Sequence, residues 1–328
     1  MVRAGKVSPY PLSELKRGHP VGGFEILEVY PEGRGGMARV VRAGRKGKAD
    51  TEVALKISRG GPNRDYFAAA IQKEVEVLQK LEHRGVVRLS PVSDGKNRFK
   101  ERAIEIIDSP WYFGMEVLAG GSLETYVRGL GPLSLGEAAA ICHQVGEALA
   151  HIHGRGFAHN DIKPDNVLFR RPLVVGDRLE PVLIDFGVAA KLVKQQVDGS
   201  VVYMAPERLQ EGRDPGPPEA RGEETGAKGD VWSLGILFYR MLVGREPFMG
   251  LSDRSITSAI QRATPEAIAT KRQDIPKEVD EFVLEGCLAK DPRLRVSTEQ
   301  FNSFIERFSG DWRVRRAPKA KRRLPWQR

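Results

Sequence analysis

The apolar residues of this chain change period once, and that change constrains its fold more than any other feature. Before Gly120-Gly121 they fall into runs of strand length: Phe24–Leu27, Arg39–Arg42, Glu52–Ile57, Val86–Leu89, Ala103–Ile107 and Trp111–Leu118. Glycine-rich turns separate several of them. One helix interrupts the series, at about Asp65–Leu81, where Phe67, Ile71, Val75, Leu78 and Leu81 recur at helical spacing. After Gly120-Gly121 the pattern is mainly helical. Ser134-Leu135-Gly136-Glu137 has the form of a capping box, and the helix it opens carries Ile141, Val145, Leu149 and Ile152 on one stripe. Val167–Phe169 and Pro181–Ile184 are short strand candidates. The segment Val231–Val243 is apolar nearly all round, which suits a helix buried in a core. Helices are also expected over Ser255–Ala263, Pro276–Leu288 and Ser297–Phe308. The outline is a small β-rich part followed by a larger helical part, with an irregular arm over residues 1–22 and a glycine- and proline-rich loop over 211–229.

Composition bounds the alternatives. Of 328 residues, 41% are hydrophobic and 29% charged, which is ordinary for a globular chain. There is no apolar run of about 18 residues, so no membrane-spanning helix is expected. Met1–Gly18 has no apolar segment of the kind a secretory signal needs. Cys142 and Cys287 are too few for a disulfide framework or a structural zinc site, and the expected compartment is the reducing cytoplasm. The net charge is +9, but Ser309–Arg328 holds eight basic residues against the single acid Asp311. The body of the chain is therefore close to neutral, with a basic tail over 309–328.

Four clusters could carry chemistry. Gly33, Gly35 and Gly36 lie between two strands, where bare backbone can approach a phosphate; taken alone, such a hairpin is in most cases just a turn. Lys56 shares a strand face with Ala54. Glu74 lies between Ile71 and Leu78 on an inward helix stripe, and a buried acid needs a partner. Lys56 fits that need, either as a structural ion pair or as a lysine held against nucleotide phosphates. Asp161, Lys163 and Asn166 occupy a proline-containing loop between a helix and a strand. There an acid can take a hydroxyl proton, a lysine can offset phosphoryl charge, and an amide oxygen can bind a metal. Asp185-Phe186-Gly187 follows the apolar run Val182–Ile184, and an aspartate at a strand end suits a metal. Each of these two loops, taken alone, could be a turn.

Taken together and in order, the clusters resemble the eukaryotic-type serine/threonine protein kinases, with a bacterial flavour. The resemblance spans about residues 24–308. It continues through Ala205-Pro206-Glu207, Asp230-Val231-Trp232-Ser233-Leu234-Gly235 and Lys290-Asp291-Pro292-Arg293-Leu294-Arg295. It implies an α+β, two-lobed fold: a small β-rich lobe over 23–118 with one key helix, and a larger, mainly helical lobe over 119–308. It implies ATP and Mg²⁺, with Mn²⁺ as an alternative, and a protein substrate. By the family's pattern, Gly33, Gly35, Gly36 and Val40 cover ATP, while Val40, Ala54 and Leu168 sandwich the adenine. Met115 is the gatekeeper, and the backbone of Glu116 and Leu118 bonds the adenine edge. Lys56, positioned by Glu74, holds phosphates. Asp161 is the base, Lys163 contacts the transferring group, and Asn166 and Asp185 bind the metal. Glu207 and Arg295 form a buried pair, and Asp230 braces the catalytic loop.

Two departures matter. Ala38 stands at the third loop glycine, and Asn160 stands where an arginine usually precedes the catalytic aspartate. That arginine receives a phosphorylated activation segment, so its loss points to activity without such phosphorylation. The competing reading is a pseudokinase serving as an ATP-binding or scaffolding module. The tail has two readings as well. It is a solvated end that aids solubility, or a contact for nucleic acid, an anionic membrane surface or an acidic partner, with Trp312 and Trp326 flanking the charges.

Overall fold

The computed structural model describes residues 9–30, 38–48, 51–95, 97–186, 201–209, 223–310 and 313–314. The chain divides into two compact units, Met1–Val117 with Asp185–Gly199, and Leu118–Ile184 with Ser200–Arg328.

The first unit is built on an antiparallel sheet. Strands β1 (Pro20–Val21), β2 (Phe24–Val29), β3 (Ala38–Arg45) and β4 (Glu52–Ser58) follow in sequence order. Next to β4 comes β7 (Trp111–Met115), which also pairs β5 (Leu89–Ser90) and β6 (Lys100–Arg102). Register sorts the side chains. Val40 faces Lys56 across β3 and β4, and Ala54 faces Met115 across β4 and β7. Directly opposed residues share a face, so Val40, Ala54, Lys56 and Met115 lie together. The opposite face of the sheet holds Val41, Ala43, Val53, Leu55, Ile57 and Tyr112, packed with Phe24 and Ile26 as the unit's core. Helix α1 (Arg64–Leu78) buries Ile71, Glu74, Val75 and Leu78.

The expected irregular arm over residues 1–22 is corrected for its described part. Tyr10, Leu15 and Val21 belong to the core of the sheet, and Tyr10 exchanges backbone hydrogen bonds with Glu105 and Ile107 at 3.1 and 2.9 Å. Gly22 has φ +53°, and a Cβ there would meet the Tyr112 hydroxyl, so only glycine fits the turn into β2. Glycine and proline in this stretch serve tight turns against a core and not a free arm. The strand expected over Ala103–Ile107 is also absent. Ala103 and Ile106 are buried while Ile104 and Ile107 are exposed, a spacing of three that belongs to a turn, and Asp108 and Ser109 take positive φ.

The second unit is mainly helical: α2 (Leu123–Leu130), α3 (Leu135–His153), α4 (Glu223–Val243), α5 (Asp253–Arg262), α6 (Lys277–Glu281) and α7 (Thr298–Ser309). A hairpin of β8 (Val167–Phe169) and β9 (Pro181–Leu183) completes it. Ser134 caps α3 by accepting the Glu137 N–H at 3.3 Å. The capping box is only half made, because the buried Glu137 carboxylate accepts from the Tyr126 hydroxyl. Helix α4 is buried all round from Val231 to Leu242 apart from Arg240. It starts inside the expected loop, and Gly226 is helical. A Cβ there would come within 2.7 Å of the Ala158 Cβ, so this glycine serves close packing. Helix α6 runs on as a π turn over Phe282–Cys287. Both cysteines are buried and free. The basic tail begins attached: Val314 is buried and exchanges backbone bonds with Gly176 and Asp177 at 2.8 and 2.7 Å. Residues 315–328 and Trp312 lie outside the described residues. Among the described residues no helix is long and apolar enough to cross a membrane.

Candidate active site

In the first unit, alternation along β4 points Lys56 out of the sheet toward α1. Its ammonium donates to both oxygens of Glu74, at 2.9 and 2.7 Å, and to Asp185 Oδ1 at 3.0 Å. Three donors meet three carboxylate oxygens. Burial alone would drive Lys56 toward neutrality, but the Asp185 and Glu74 carboxylates outweigh it and hold the lysine charged, its pKa raised. Burial pushes the Glu74 carboxyl up, while Lys56 and the Phe186 N–H, 3.3 Å from Oε1, act against that. Glu74 therefore fixes both the lysine and the start of the segment after Asp185. Asp185 has φ +66°, an uncommon conformation for a residue with a side chain. Val40 and Ala54 share the Lys56 face, and Met115 ends β7 beside Ala54. The Glu116 N–H donates to Arg88 O at 2.9 Å, so a bond from Glu116 to an adenine edge would run through its carbonyl. Gly33, Gly35 and Gly36 lie outside the described residues.

In the second unit, the loop from Ala158 to Asn166 gathers Asp161, Lys163 and Asn166. Lys163 Nζ and Asn166 Nδ2 donate to Asp161 Oδ2, at 3.0 and 2.9 Å, and Nδ2 also donates to Asp161 O at 2.8 Å. Both contacts of that nitrogen are acceptors, which fixes the amide with its nitrogen toward Asp161 and leaves Oδ1 as the group for a cation. Leu168 pairs Val182 in the β8–β9 hairpin and bridges Ser122. Leu118 opens this unit, half-buried.

A buried scaffold holds the loop. Asp230, fully buried on α4, accepts the backbone N–H groups of His159 and Asn160 at 2.8 and 2.7 Å, and His153 Nε2 lies 2.9 Å from its Oδ2. Burial opposes ionisation of Asp230, yet the hydrogen bond with His153 and the one from the Asn160 N–H hold its carboxyl below the usual range. His159 faces the Ile184 carbonyl through Nε2 at 3.0 Å and the Asp161 N–H through Nδ1 at 3.3 Å. A carbonyl only accepts and an N–H only donates, so these partners select the Nε2–H tautomer. Arg295 and Glu207 form a two-pronged pair at 2.7 and 2.6 Å. His153, which also bonds Thr298 Oγ1 at 2.9 Å, and Arg208 carry no local sequence signal. Their partners are 77 and 48 residues away.

The protein kinase domain family model matches residues 30–304. The serine/threonine-protein kinase PrkC of Bacillus subtilis is 32% identical over 289 residues, covering 85% of this chain and 39% of PrkC. The serine/threonine-protein kinase PkaA of Streptomyces coelicolor is 30% identical over 292 residues, covering 85% of this chain and 49% of PkaA. The chain thus spans less than half the length of these relatives. A crystal structure of Rad53 1-466 in complex with AMP-PNP superposes with a TM-score of 0.65 at 27% identity, over 85% of this chain and 64% of that one. With its β-rich first unit, its helical second unit and the family's residues in order along both, this chain belongs to the protein kinase domain family.

Proposed function

We propose that this chain transfers the γ-phosphoryl group of ATP to serine or threonine hydroxyls of a protein substrate. The observation that carries the reading is the Asp161 constellation, in which one carboxylate oxygen is pinned by both Lys163 and Asn166. Asp161 orients the acceptor hydroxyl and takes its proton, and Lys163 offsets charge on the group in transfer. Lys56, held charged by Glu74, binds the α- and β-phosphates, and Gly33, Gly35 and Gly36 are the glycines that the family's pattern assigns to ATP. Val40, Ala54 and Leu168 enclose the adenine, Met115 is the gatekeeper, and Glu116 and Leu118 bond the adenine edge. The donor set suits Mg²⁺. By residue type, Asn166 and Asp185 supply one amide and one carboxylate oxygen. A cation bound by few protein oxygens, with phosphates and water completing its shell, is the usual Mg²⁺ arrangement, and Mn²⁺ takes the same donors. When bound, the metal neutralises phosphate charge. The test is transfer of labelled phosphate from ATP to itself or to a basic protein. Asp161→Asn should lose about 10²–10⁴-fold in rate. A parent chain no faster than this variant would sink the reading in favour of an ATP-binding scaffold.

Activity is proposed not to need phosphorylation of the activation segment. Tyr203 is buried, with its hydroxyl 2.8 Å from Arg240 Nη1 and 3.2 Å from Glu246 Oε1, and Asn160 carries no charge to receive a phosphate. Ser200 lies outside the described residues. We take the catalytic domain to run to about residue 308 and the chain to work in the cytoplasm, where buried free thiols such as Cys142 and Cys287 persist. The basic tail, attached through Arg313 and Val314, offers its charges to nucleic acid, an anionic membrane surface or an acidic partner.

A further inference from the structure

We propose that Arg208 is a positioning residue for Asp161, acting through the peptide plane between Asn160 and Asp161. The inference rests on the kinase reading above for its catalytic consequence, but the contact itself does not.

A peptide unit is planar, so fixing its oxygen and its N–H fixes the whole plane. The carbonyl of Asn160 and the N–H of Asp161 belong to one such plane. Arg208 Nη1 donates to that carbonyl at 2.9 Å, and the N–H donates to His159 Nδ1 at 3.3 Å. The preceding plane is held separately, by Asp230 Oδ1 on the Asn160 N–H at 2.7 Å. Between the two planes Asn160 has φ +64°, a left-handed conformation that asparagine tolerates better than most residues with a side chain. The bond on the N–H side is the longer one, so the charged guanidinium is the stronger of the two pins on the plane that leads into the Asp161 Cα.

Arg208 itself is not part of the catalytic loop. It ends the 3-10 turn Pro206–Arg208, whose Glu207 is locked by Arg295 at 2.6 Å. Its stem runs past Gly229, the residue before Asp230. The next residue, Leu209, has its carbonyl taken by Gln261 Nε2 at 3.1 Å. Arg208 therefore ties the seating of the 201–209 segment to the orientation of Asp161. No charge at position 160 is needed for this link, because Arg208 reaches the backbone carbonyl of that residue.

The test compares the parent with Arg208→Met, which keeps the stem and removes the donors, and Arg208→Lys, which keeps a charged donor. Misplacing a reacting group by about 1 Å can cost up to about 10²-fold. Arg208→Met should lower kcat by about 10- to 100-fold while the KM for ATP stays within about threefold, and Arg208→Lys should recover most of the loss. Hydrogen exchange reads the same pin without catalysis: the amides of 159–161 should exchange about tenfold faster in Arg208→Met, the equivalent of about 1.4 kcal/mol. Unchanged exchange at these amides would overturn the proposal even if the chain transfers no phosphate. Equal impairment of the Met and Lys variants would overturn it too, since that marks packing and not the bond. If Arg208→Met does not fold, Arg208→Gln, whose donor is too short to reach the carbonyl, takes its place with the same expectations. Phosphate transfer that Asp161→Asn leaves intact would fault the kinase reading and not this one.

Discussion

Arg295 offers the sharpest test of how the second unit is held together. Its side chain is fully buried, and its guanidinium has five N–H donors and five acceptors. Nε donates to Ala289 O at 2.8 Å. Nη1 donates to Glu207 Oε1 at 2.7 Å and Lys228 O at 3.1 Å, and Nη2 to Glu207 Oε2 at 2.6 Å and Lys290 O at 3.3 Å. Every donor is spent, and the Trp232 ring lies 5.0 Å away against the guanidinium face. Stranding one partner of a buried ion pair costs about 3–5 kcal/mol. Arg295→Ala strands Glu207 and removes a donor from three carbonyls as well, so its cost exceeds that range and approaches the whole stability of a typical domain, about 5–15 kcal/mol. Glu207→Ala leaves Arg295 its three carbonyls and should cost about 3–5 kcal/mol. Arg295→Lys keeps the charge but replaces a planar fork with one atom, which cannot serve acceptors on several sides. Losing two such charged bonds, at about 1.5–3 kcal/mol each, should cost about 3–6 kcal/mol. At about 2–4 °C per kcal/mol, Glu207→Ala should melt about 6–20 °C below the parent and Arg295→Lys about 6–24 °C below. Calorimetric melting, backed by urea titration, measures both. An Arg295→Lys protein that melts with the parent would refute the donor accounting, and an unchanged Glu207→Ala would refute the buried pair.

Two further outcomes follow. Asp185→Ala should abolish the rise in melting temperature that Mg²⁺–ATP gives the parent, and it also leaves Lys56 with Glu74 alone; full protection of the variant by Mg²⁺–ATP would remove Asp185 from the metal site. Asp230 has a folded pKa below its unfolded value of about 3.9, so the stability it contributes is fully present above that value and is lost as pH falls through the lower folded one. Asp230→Asn should therefore melt well below the parent at pH 7 and approach it below about pH 4, and a gap independent of pH would contradict this.

Much of this architecture was legible in the chain itself. The shift from strand-length runs to helical stripes at Gly120-Gly121 follows from local geometry, since a side chain's period reports which element can bury it. Glu74 on an inward stripe announced a buried acid, and Lys56 proved to be its partner. The order of short motifs, from Lys56 to Arg295, carried the family. Where local patterns misled, packing had overruled them. Glycine reads as a turn in sequence, yet Gly226 lies inside α4 because Ala158 leaves no room for a Cβ. Residues 10–21 read as irregular because they have no period, but a segment of short turns and one two-residue strand needs none to lay Tyr10, Leu15 and Val21 against a sheet.

What tertiary structure alone decided is who pairs with whom. Ser134-Leu135-Gly136-Glu137 spells a capping box, but the Tyr126 hydroxyl, not the cap, holds the Glu137 carboxylate. His153, Asp230 and Thr298 meet from three helices, and Arg208 reaches back 48 residues to a backbone carbonyl. Sequence determines which groups will demand partners once buried, because residue type and periodicity set that demand. Only the folded chain selects the partner, because a backbone N–H or C=O leaves no trace of itself in the residue that will bond it.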